Sequence, residues 1–243
     1  MANQYFENFP TTQYKLSNGK WITIKDFFRK SKIDQAALNN VIDYEYYELT
    51  DGERPDVVAT KLYGNGDLHW TLLLVNDMES YFDWHKDTQT FEVYLKQKFP
   101  GQWLTFNNSS DMITTTEAGV SEKFLLGEKI TAGDGNTGHV TKCQPTYKRI
   151  GVESLTEFTA GDTITGDISG KTATVLNAIN QIDGISYYED TTGLRKNNFA
   201  SGFTSVTHWQ DEFDRNETKR LIKIIRPTYI RKVVQEFDRI MST

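Results

Sequence analysis

Residues 44–77 read YEYYELTDGERPDVVATKLYGNGDLHWTLLLVND, and this stretch predicts a strand followed by two short helices. Its opening aromatic run has the spacing of a half-buried strand. Pro55 suits the first turn of a helix, because its missing N–H would have no partner there, and Gly64 can end that helix in the left-handed conformation. Asp67 can cap a second helix, which we expect to end at Asn76. The side chains expected to face the core are Val58, Leu62, Trp70, Leu73 and Leu74.

The centre of this stretch follows the pattern [DG]-x-x-P/A-x-x-[IV]-A-x-x-[LY]-Y-G, which resembles a LysM module. The segment GERPDVVATKLYGNGDLHWTLLLVNDM resembles, more closely, the small baseplate wedge subunit of T-even-type contractile-tailed bacteriophages. The segment FDRNETKRLIKIIRPTYIRKVVQEFDRIM near the end of the chain is similar to the same family. The residues that carry the family motif here are Pro55, Ala59, Tyr63, Gly64, Trp70 and Asn76.

The resemblance implies a structural subunit of a phage tail baseplate, located in the virion and assembled in the host cytoplasm. Such a subunit would bind other wedge proteins and join neighbouring wedges into a six-fold ring, with six copies per baseplate. The LysM pattern leaves an alternative, a module that binds peptidoglycan or another amino sugar. That module would use the loop at 51–54 and the end of the second helix at 75–78.

The sequence predicts an α+β protein in four parts. These are an N-terminal arm at 1–40, a LysM-like strand–helix–helix core at 41–116, an inserted small all-β domain at 117–177, and a C-terminal strand and helix at 178–243 that complete the core. An ordinary LysM module has a second strand soon after its second helix. Here the spacing of Phe91, Leu95 and Phe99 predicts a helix at that place. We therefore expect the pairing strand to come from elsewhere, with Trp103 to Phe106 as the candidate.

The predicted β domain contains an internal repeat. The sequence FLLGEKIT at 124–131 matches FTAGDTIT at 158–165, and each copy is followed by a glycine-rich turn and a strand. Two such units favour a small barrel or sandwich whose ends return close together. Further on, RLIKII at 220–225 reads as a strand, and Pro227 opens an amphipathic helix that runs to the end of the chain.

Two groups of residues are candidates for contacts with partner subunits. The arm contributes aromatic residues and a proline that either pack on their own domain or lie on a neighbouring subunit: Tyr5, Phe6, Phe9, Pro10 and Tyr14. The last helix and its approach contribute cations that form either a solvated face or a docking surface for an acidic partner: Arg226, Arg231 and Lys232. Charge of this kind would set orientation more than affinity.

Composition excludes several classes of protein. The net charge of −6 argues against a nucleic-acid footprint and fits poorly with an anionic membrane surface. A single cysteine, Cys143, rules out an intramolecular disulfide framework. The first residues lack the pattern of a secretion signal, and no apolar run is long enough to span a membrane. We therefore expect a soluble product of a reducing cytoplasm.

No motif predicts catalysis, a metal site, a cofactor or a small-molecule substrate. GDGNTG at 133–138 spells G-x-G-x-x-G, but strand-like residues follow it, which favours a hairpin turn over a phosphate site. GDISGKT at 166–172 lacks the glycine spacing of a phosphate-binding loop. The four histidines are scattered, without the spacing of metal ligands on a helix. The sequence therefore predicts a non-enzymatic protein.

Overall fold

The computed structural model describes residues 9–26, 44–107, 113–116, 119–122 and 124–241. These residues form five α-helices and sixteen strands, which confirms the predicted α+β class. Contacts between Cα atoms divide the chain into two compact units. Unit 1 comprises residues 1–88 and 216–243, and unit 2 comprises residues 89–215.

Unit 1 is built from two helices that follow a strand, together with the end of the chain. Its elements are β1 (Thr11–Lys15), β2 (Trp21–Lys25), β3 (Tyr44–Glu48), α1 (Pro55–Tyr63), α2 (His69–Val75), β16 (Leu221–Ile225) and α5 (Ile230–Met241). Short 3₁₀ turns lie at Gly66–Leu68 and Tyr81–Asp83. Strands β1 and β2 form an antiparallel hairpin.

The signals for α1 are confirmed, whereas those for α2 need a correction. Pro55 opens α1, and Gly64 ends it with φ 70°, donating its N–H to the carbonyl of Thr60. A 3₁₀ turn precedes α2, and Asn65 rather than Asp67 provides its side-chain cap. The buried side chains of α2 are Trp70, Thr71, Leu72 and Val75, while Leu73 and Leu74 are half-buried.

The strand that pairs with β3 comes from the far end of the chain. β16 runs antiparallel to β3, with Leu221 opposite Glu48 and Ile225 opposite Tyr44. The expectation that residues 103–106 would supply this strand is wrong, because Gln102–Thr105 belongs to a sheet of unit 2. Ile222 and Ile224 are fully buried in β16, so its apolar alternation matches the core of unit 1.

Two side chains of the helices hold β16 in place. The side-chain amide of Asn76 donates to the carbonyl of Lys223 and accepts from the N–H of the same residue, both at 2.8 Å. It also donates to the carbonyl of Leu72 inside α2. The hydroxyl of Tyr63 donates to the carbonyl of Ile225 at 3.0 Å. The helices therefore recognise the backbone of β16 directly.

The predicted amphipathic helix at the end of the chain is α5, and it completes the core. Val233, Val234 and Phe237 are buried in one cluster with Trp70. The rings of Trp70 and Phe237 lie 4.4 Å apart. Burying one such ring removes about 150–250 Å² from water, which stabilises the fold by about 4–6 kcal/mol before entropy is counted.

Unit 2 is mainly β-structure. Its helices are α3 (Thr88–Lys98), which starts at the unit boundary, and α4 (His208–Glu217), which ends in unit 1. Its strands are β4 (Gln102–Thr105), β5 (Ile113–Thr116), β6 (Gly119–Glu122), β7 (Lys129–Ala132), β8 (Thr137–Gln144), β9 (Arg149–Ser154), β10 (Thr163–Gly166), β11 (Thr172–Thr174), β12 (Asn177–Asn180), β13 (Ile185–Glu189), β14 (Arg195–Lys196) and β15 (Thr204–Thr207). Helix α4 was not predicted from the sequence.

A seven-stranded antiparallel sheet organises unit 2, in the order β11-β10-β7-β8-β9-β4-β12. Only Val175 and Leu176 separate β11 from β12, although these strands lie at opposite ends of the order. The sheet must therefore curl until its two edges meet. One apolar cluster fills its interior, including Leu104, Ile150 and Val152.

The two copies of the repeat have matching local structure. Phe124 and Phe158 are both buried in the core of the sheet. The acidic residue of each copy accepts a hydrogen bond from a backbone N–H three residues earlier. These bonds run from Leu125 to Glu128 at 3.2 Å and from Thr159 to Asp162 at 2.7 Å. Each copy therefore folds by the same local contacts.

A local two-fold axis relates the two copies. β7 and β10 pair antiparallel at the centre of the repeat, with Thr131 opposite Thr165. These two threonines are equivalent positions, since FLLGEKIT ends at the first and FTAGDTIT at the second. Equivalent residues can face each other across an antiparallel pair only if a two-fold axis passes between them.

The places where the chain passes between the units are tied together inside unit 1. Asn216 accepts a hydrogen bond from the N–H of Lys86 at 2.9 Å and donates one to its carbonyl at 2.9 Å. The unit boundaries lie outside the insert expected at 117–177, because β4 and β12 belong to the same sheet as the repeat. The chain therefore leaves unit 1 and returns to it at two positions that these hydrogen bonds hold next to each other.

We expect Asn76→Ala to lower the free energy of unfolding by about 2 kcal/mol, because it leaves the N–H and carbonyl of Lys223 without their partner. Chemical denaturation of the full chain measures this change. Asn65→Ala is the control, since Asn65 caps an exposed turn with one hydrogen bond. Its cost should stay below about 1 kcal/mol. Equal losses would contradict a special role of Asn76.

Replacing residues 89–215 with a Gly/Ser linker of about six residues should leave unit 1 able to unfold cooperatively. Both of its apolar clusters remain, and the contact of Asn216 with Lys86 keeps the ends together. Deleting only 119–177 should give a poorly folded unit 2, since β4 would lose β9. Thermal melts followed by circular dichroism test both shortened proteins. A broad, non-cooperative melt of the first would contradict the independence of unit 1.

Candidate functional site

The aromatic residues of the arm have different environments. Tyr5 and Phe6 lie outside the described residues. Phe9 is buried in unit 1, where its ring lies 6.5 Å from that of Phe237. Pro10 is half-buried, and its carbonyl accepts the N–H of Asp26 at the open end of the hairpin. Phe9 therefore anchors the arm within its own chain.

The hairpin beyond this anchor presents aromatic surface. Tyr14 is 47% exposed on β1 and Trp21 is 59% exposed on β2. Trp21 lies opposite Lys15, whose ammonium group is 5.8 Å from the centre of the indole ring. Exposed aromatic rings with few rotatable bonds are favourable anchors for a partner protein.

The three candidate cations at the end of the chain fall into two groups. Arg226 forms an ion pair with Glu45 of the neighbouring strand, with Nε 3.3 Å from the carboxylate. Arg231 and Lys232 are exposed near the start of α5, whose opposite side faces the core. The exposed pair can therefore meet another molecule without breaking the packing of α5.

The residues of the family motif form a scaffold. Pro55, Ala59 and Trp70 are buried, and Gly64 is the left-handed cap of α1. Burial raises the pKa of Tyr63 to about 12, so its hydroxyl remains a donor to the Ile225 carbonyl. Together with Asn76 these residues position the helices and β16. These residues therefore support the fold, and any contact with a partner would be made by the exposed surfaces around them.

Glu53, in the loop after β3, is fully engaged within the chain. Its carboxylate accepts hydrogen bonds from the hydroxyl of Tyr47 at 3.1 Å and the N–H of Thr50 at 2.9 Å, and it pairs with Lys61. Burial acts to raise the pKa of Glu53, but the hydrogen bonds from Lys61, Thr50 and Tyr47 outweigh it and lower the pKa. The carboxylate that a sugar would need is therefore already occupied.

Side chains from other segments of unit 1 also hold the loop after β3 in place. The indole N–H of Trp84 donates to the carbonyl of Glu53 at 2.7 Å, and the guanidinium of Arg220 donates to the carbonyl of Leu49 at 3.0 Å. Sequence reasoning missed both contacts, since they join positions far apart in the chain. Arg54 is exposed and pairs with Asp56. No observation on this loop supports the amino-sugar alternative.

Sequence reasoning also missed an exposed apolar surface on the two-stranded sheet. Tyr46 is 67% exposed on β3 and Leu221 is 58% exposed on β16. The outward position of Tyr46 follows from strand alternation, because Tyr47 and Leu49 point to the core. The signal was present in the sequence, but the inner and outer faces could not be distinguished.

Two further findings concern metals and membranes. Within the described ranges, His, Cys, Asp and Glu side chains form no group of three or more that could hold a metal ion. None of the helices in those ranges has both the length and the apolar character needed to cross a bilayer.

Glu53→Gln should destabilise the protein at pH 7 by about 1–2 kcal/mol, since it removes a charged acceptor of several hydrogen bonds. Because the pKa of Glu53 is lowered in the folded state, its contribution is present above the ordinary carboxyl range and is lost as the pH falls. The difference from wild type should therefore shrink at pH 3. Urea denaturation at both pH values measures it, with the exposed Glu48→Gln as control. A difference independent of pH would contradict this account.

Comparison with known proteins identifies one family. Residues 5–101 match the family model described as base plate wedge protein 53. No curated protein matches the chain significantly. The family implies a structural role in the virion tail baseplate and association with other baseplate components. The matched segment contains β1 to α2 and the motif residues that position β16. Over this segment, which is less than half of the chain, the protein is similar to the phage base plate wedge protein 53 family.

Proposed function

We propose that the protein is a structural subunit of the phage tail baseplate wedge that binds other wedge proteins and joins neighbouring wedges into a six-fold ring. Six copies per baseplate, assembled in the host cytoplasm, belong to this proposal. The observation that carries it is the family match over residues 5–101. The exposed aromatic and cationic surfaces of unit 1 support it, since such surfaces suit contacts between proteins.

The proposed core is LysM-like. β3, α1 and α2 follow one another along the chain, and β16 pairs antiparallel with β3. This arrangement has the strand–helix–helix–strand order of a LysM module, with the second strand supplied by the end of the chain. We propose that unit 2 occupies the interval between the third and fourth elements of that module.

The exposed part of α5 is the proposed contact for an acidic partner. Arg231 and Lys232 project from a helix that Val233, Val234 and Phe237 anchor in the core. A cationic surface on a rigid helix steers an acidic partner toward one orientation and raises the rate of association. The aromatic surface of the hairpin, with Tyr14 and Trp21, then supplies apolar contact area.

Neutralising both cations with Arg231→Gln and Lys232→Gln should slow association with the other wedge proteins about tenfold at low salt. The effect should fade at high salt, because ions screen exposed charges. Biolayer interferometry of the purified full chain against co-expressed wedge proteins measures the rate. The control is Lys96→Gln with Lys196→Gln, which changes net charge equally at exposed positions of unit 2.

Two outcomes would count against the proposal. A wild-type chain that remains monomeric in the presence of all the other wedge proteins would contradict the wedge function itself. Equal slowing by the control pair would contradict the assignment of α5 as the contact. The two failures are distinguishable, because the first concerns wild-type binding and the second only the site of binding.

A further inference from the structure

One face of the seven-stranded sheet of unit 2 carries a row of residues outside the apolar core. The strand register places Lys142 of β8 opposite Gly151 of β9, Gly151 opposite Trp103 of β4, and Trp103 opposite Ile179 of β12. Residues directly opposite each other in a sheet share a face. Since Gly151 has no side chain, those of Gln181, Trp103 and Lys142 come close together above it.

A β-bulge turns Lys142 onto this face. The register between β8 and β9 shifts between Val140 and Lys142, so that Thr141 is the extra residue. Val140 is buried in the core, and Cys143 packs against that same core. Strict alternation would place Lys142 on the core side with Val140. The bulge reverses the alternation and directs a cation to the opposite face, a use of bulges that is common near binding sites.

Two cations meet at Trp103. The guanidinium of Arg149 lies 4.0 Å from the centre of the indole ring, and the ammonium group of Lys142 lies 5.7 Å from it. Arg149 is almost fully buried, and its pKa is lowered to about 10, mainly by burial. Burial and the charge of Arg149 both lower the pKa of Lys142. In the part of the chain that the structure describes, neither cation forms an ion pair with a carboxylate.

Arg149 uses two of its five N–H donors within the chain, and Lys142 uses one of its three. Arg149 donates through Nε to the side chain of Gln144 at 2.8 Å and through Nη2 to the carbonyl of Ile185 at 2.6 Å. The ammonium group of Lys142 donates to Oε1 of Gln181 at 3.2 Å. An ammonium group has three N–H donors, so Lys142 keeps capacity for a ligand.

Two buried nitrogen atoms at this place have no hydrogen-bond partner. Gln181 is completely buried, and its Nε2 makes no hydrogen bond. The Nε2 of His208 is likewise buried and unpartnered. The imidazole of His208 stacks on Phe99, with ring centres 4.6 Å apart, and lies 6.3 Å from Trp103. Leaving such atoms without a partner costs about 1–3 kcal/mol each, so their presence needs an explanation.

Positive charge outweighs negative charge around His208. Burial, Arg149 and Lys142 together lower the pKa of His208 to about 4, and the more weakly acting Asp211 and Glu212 oppose the shift. The imidazole is therefore neutral at pH 7 and can donate one N–H. An anion near these groups would relieve the repulsion between the cations and would raise the pKa of His208.

The glycines of this cluster keep the backbone close to its side chains. A Cβ at Gly151 would lie 3.0 Å from Nε2 of Gln181 and 3.1 Å from the indole ring of Trp103. A Cβ at Gly184 would overlap the indole ring, at 2.3 Å. Any larger residue at either position would push into the cluster. The side chains of Lys142 and His208 are half-buried, so these two residues lie at the border between the cluster and solvent.

We propose that Lys142, Gln181 and His208 form a binding site for a single carboxylate group beside Trp103. Lys142 supplies the charge, and the nitrogens of Gln181 and His208 supply neutral donors. A single carboxylate matches this set, because its two oxygens and one negative charge suit one ammonium group and two neutral nitrogen donors. This site goes beyond the proposed wedge function and does not depend on it.

The test uses the full chain labelled with ¹⁵N and ¹³C and observed by NMR. Acetate is titrated at constant ionic strength, with chloride and phosphate as parallel arms. We expect saturable shifts of the Trp103 indole N–H and of the His208 ring signals, assigned by their loss in Trp103→Phe and His208→Phe. A peptide of four glutamates, compared with four glutamines, distinguishes a carboxylate on a polypeptide from a free acid.

Lys142→Met keeps the length of the side chain and removes its charge, so acetate binding should weaken about tenfold or more. Lys96→Met is the control, an equal charge change at an exposed position of α3. Its affinity should remain that of wild type. In the presence of saturating acetate the pKa of His208 should rise, which a purely structural role would not produce.

Three outcomes would overturn the proposal. Shifts with acetate that match those with chloride would show a general salt effect. Tighter binding of phosphate than of acetate would show that the site prefers phosphate, and the proposed carboxylate ligand would be wrong. Equal losses in Lys142→Met and Lys96→Met would place the binding elsewhere. If Lys142→Met unfolds, Gln181→Leu, which retains the cations, provides the second variant and should also weaken binding.

Discussion

Unit 1 depends on the pairing of β3 with β16, two strands from opposite ends of the chain. An isolated two-stranded ribbon is marginal in water, so the pair needs support from its faces. Asn76 and Tyr63 provide it by bonding the backbone of β16, and Ile222 and Ile224 provide it by entering the core. The segment that carries the family match therefore needs the end of the chain to complete its fold.

This pairing also decides which surfaces remain for partners. One side of the ribbon is buried, and the other side exposes Tyr46 and Leu221. Helix α5 repeats the division, with Phe237 on the inside and Arg231 on the outside. The exposed groups thus stand on elements whose positions are fixed by packing. Rigid presentation of this kind reduces the entropy lost when two proteins associate.

Features that depend on neighbouring residues were predicted from the sequence, whereas features that depend on contacts between distant segments were not. Pro55 and Gly64 set the ends of α1 through backbone geometry alone, so the sequence predicted them correctly. The partner of β3 was predicted wrongly, because strand pairing depends on complementarity between distant segments. Helix α4 had usable signals that were missed. Thr207 bonds the N–H of Gln210 at its start.

The candidate binding residues show the same difference between features that local residues predict and features that depend on distant contacts. Phe9 was recognised as a candidate from composition, but only the structure shows that its ring is buried in its own chain. The cluster around Trp103 had no sequence signal at all. Lys142 reaches it only because a bulge reverses the strand alternation, and His208 reaches it from a helix that was not predicted. Chemistry that depends on such irregularities cannot be inferred from residue spacing.

The two-fold axis between Thr131 and Thr165 makes the repeat of unit 2 equivalent to a symmetric dimer held within one polypeptide. The covalent connection gives the second copy a high effective concentration, so the pairing does not depend on how much protein is present. A chain with only one copy would present the edge of β7 to solvent, and an open edge recruits strands from other molecules. Duplication therefore turns an edge prone to self-association into an internal seam.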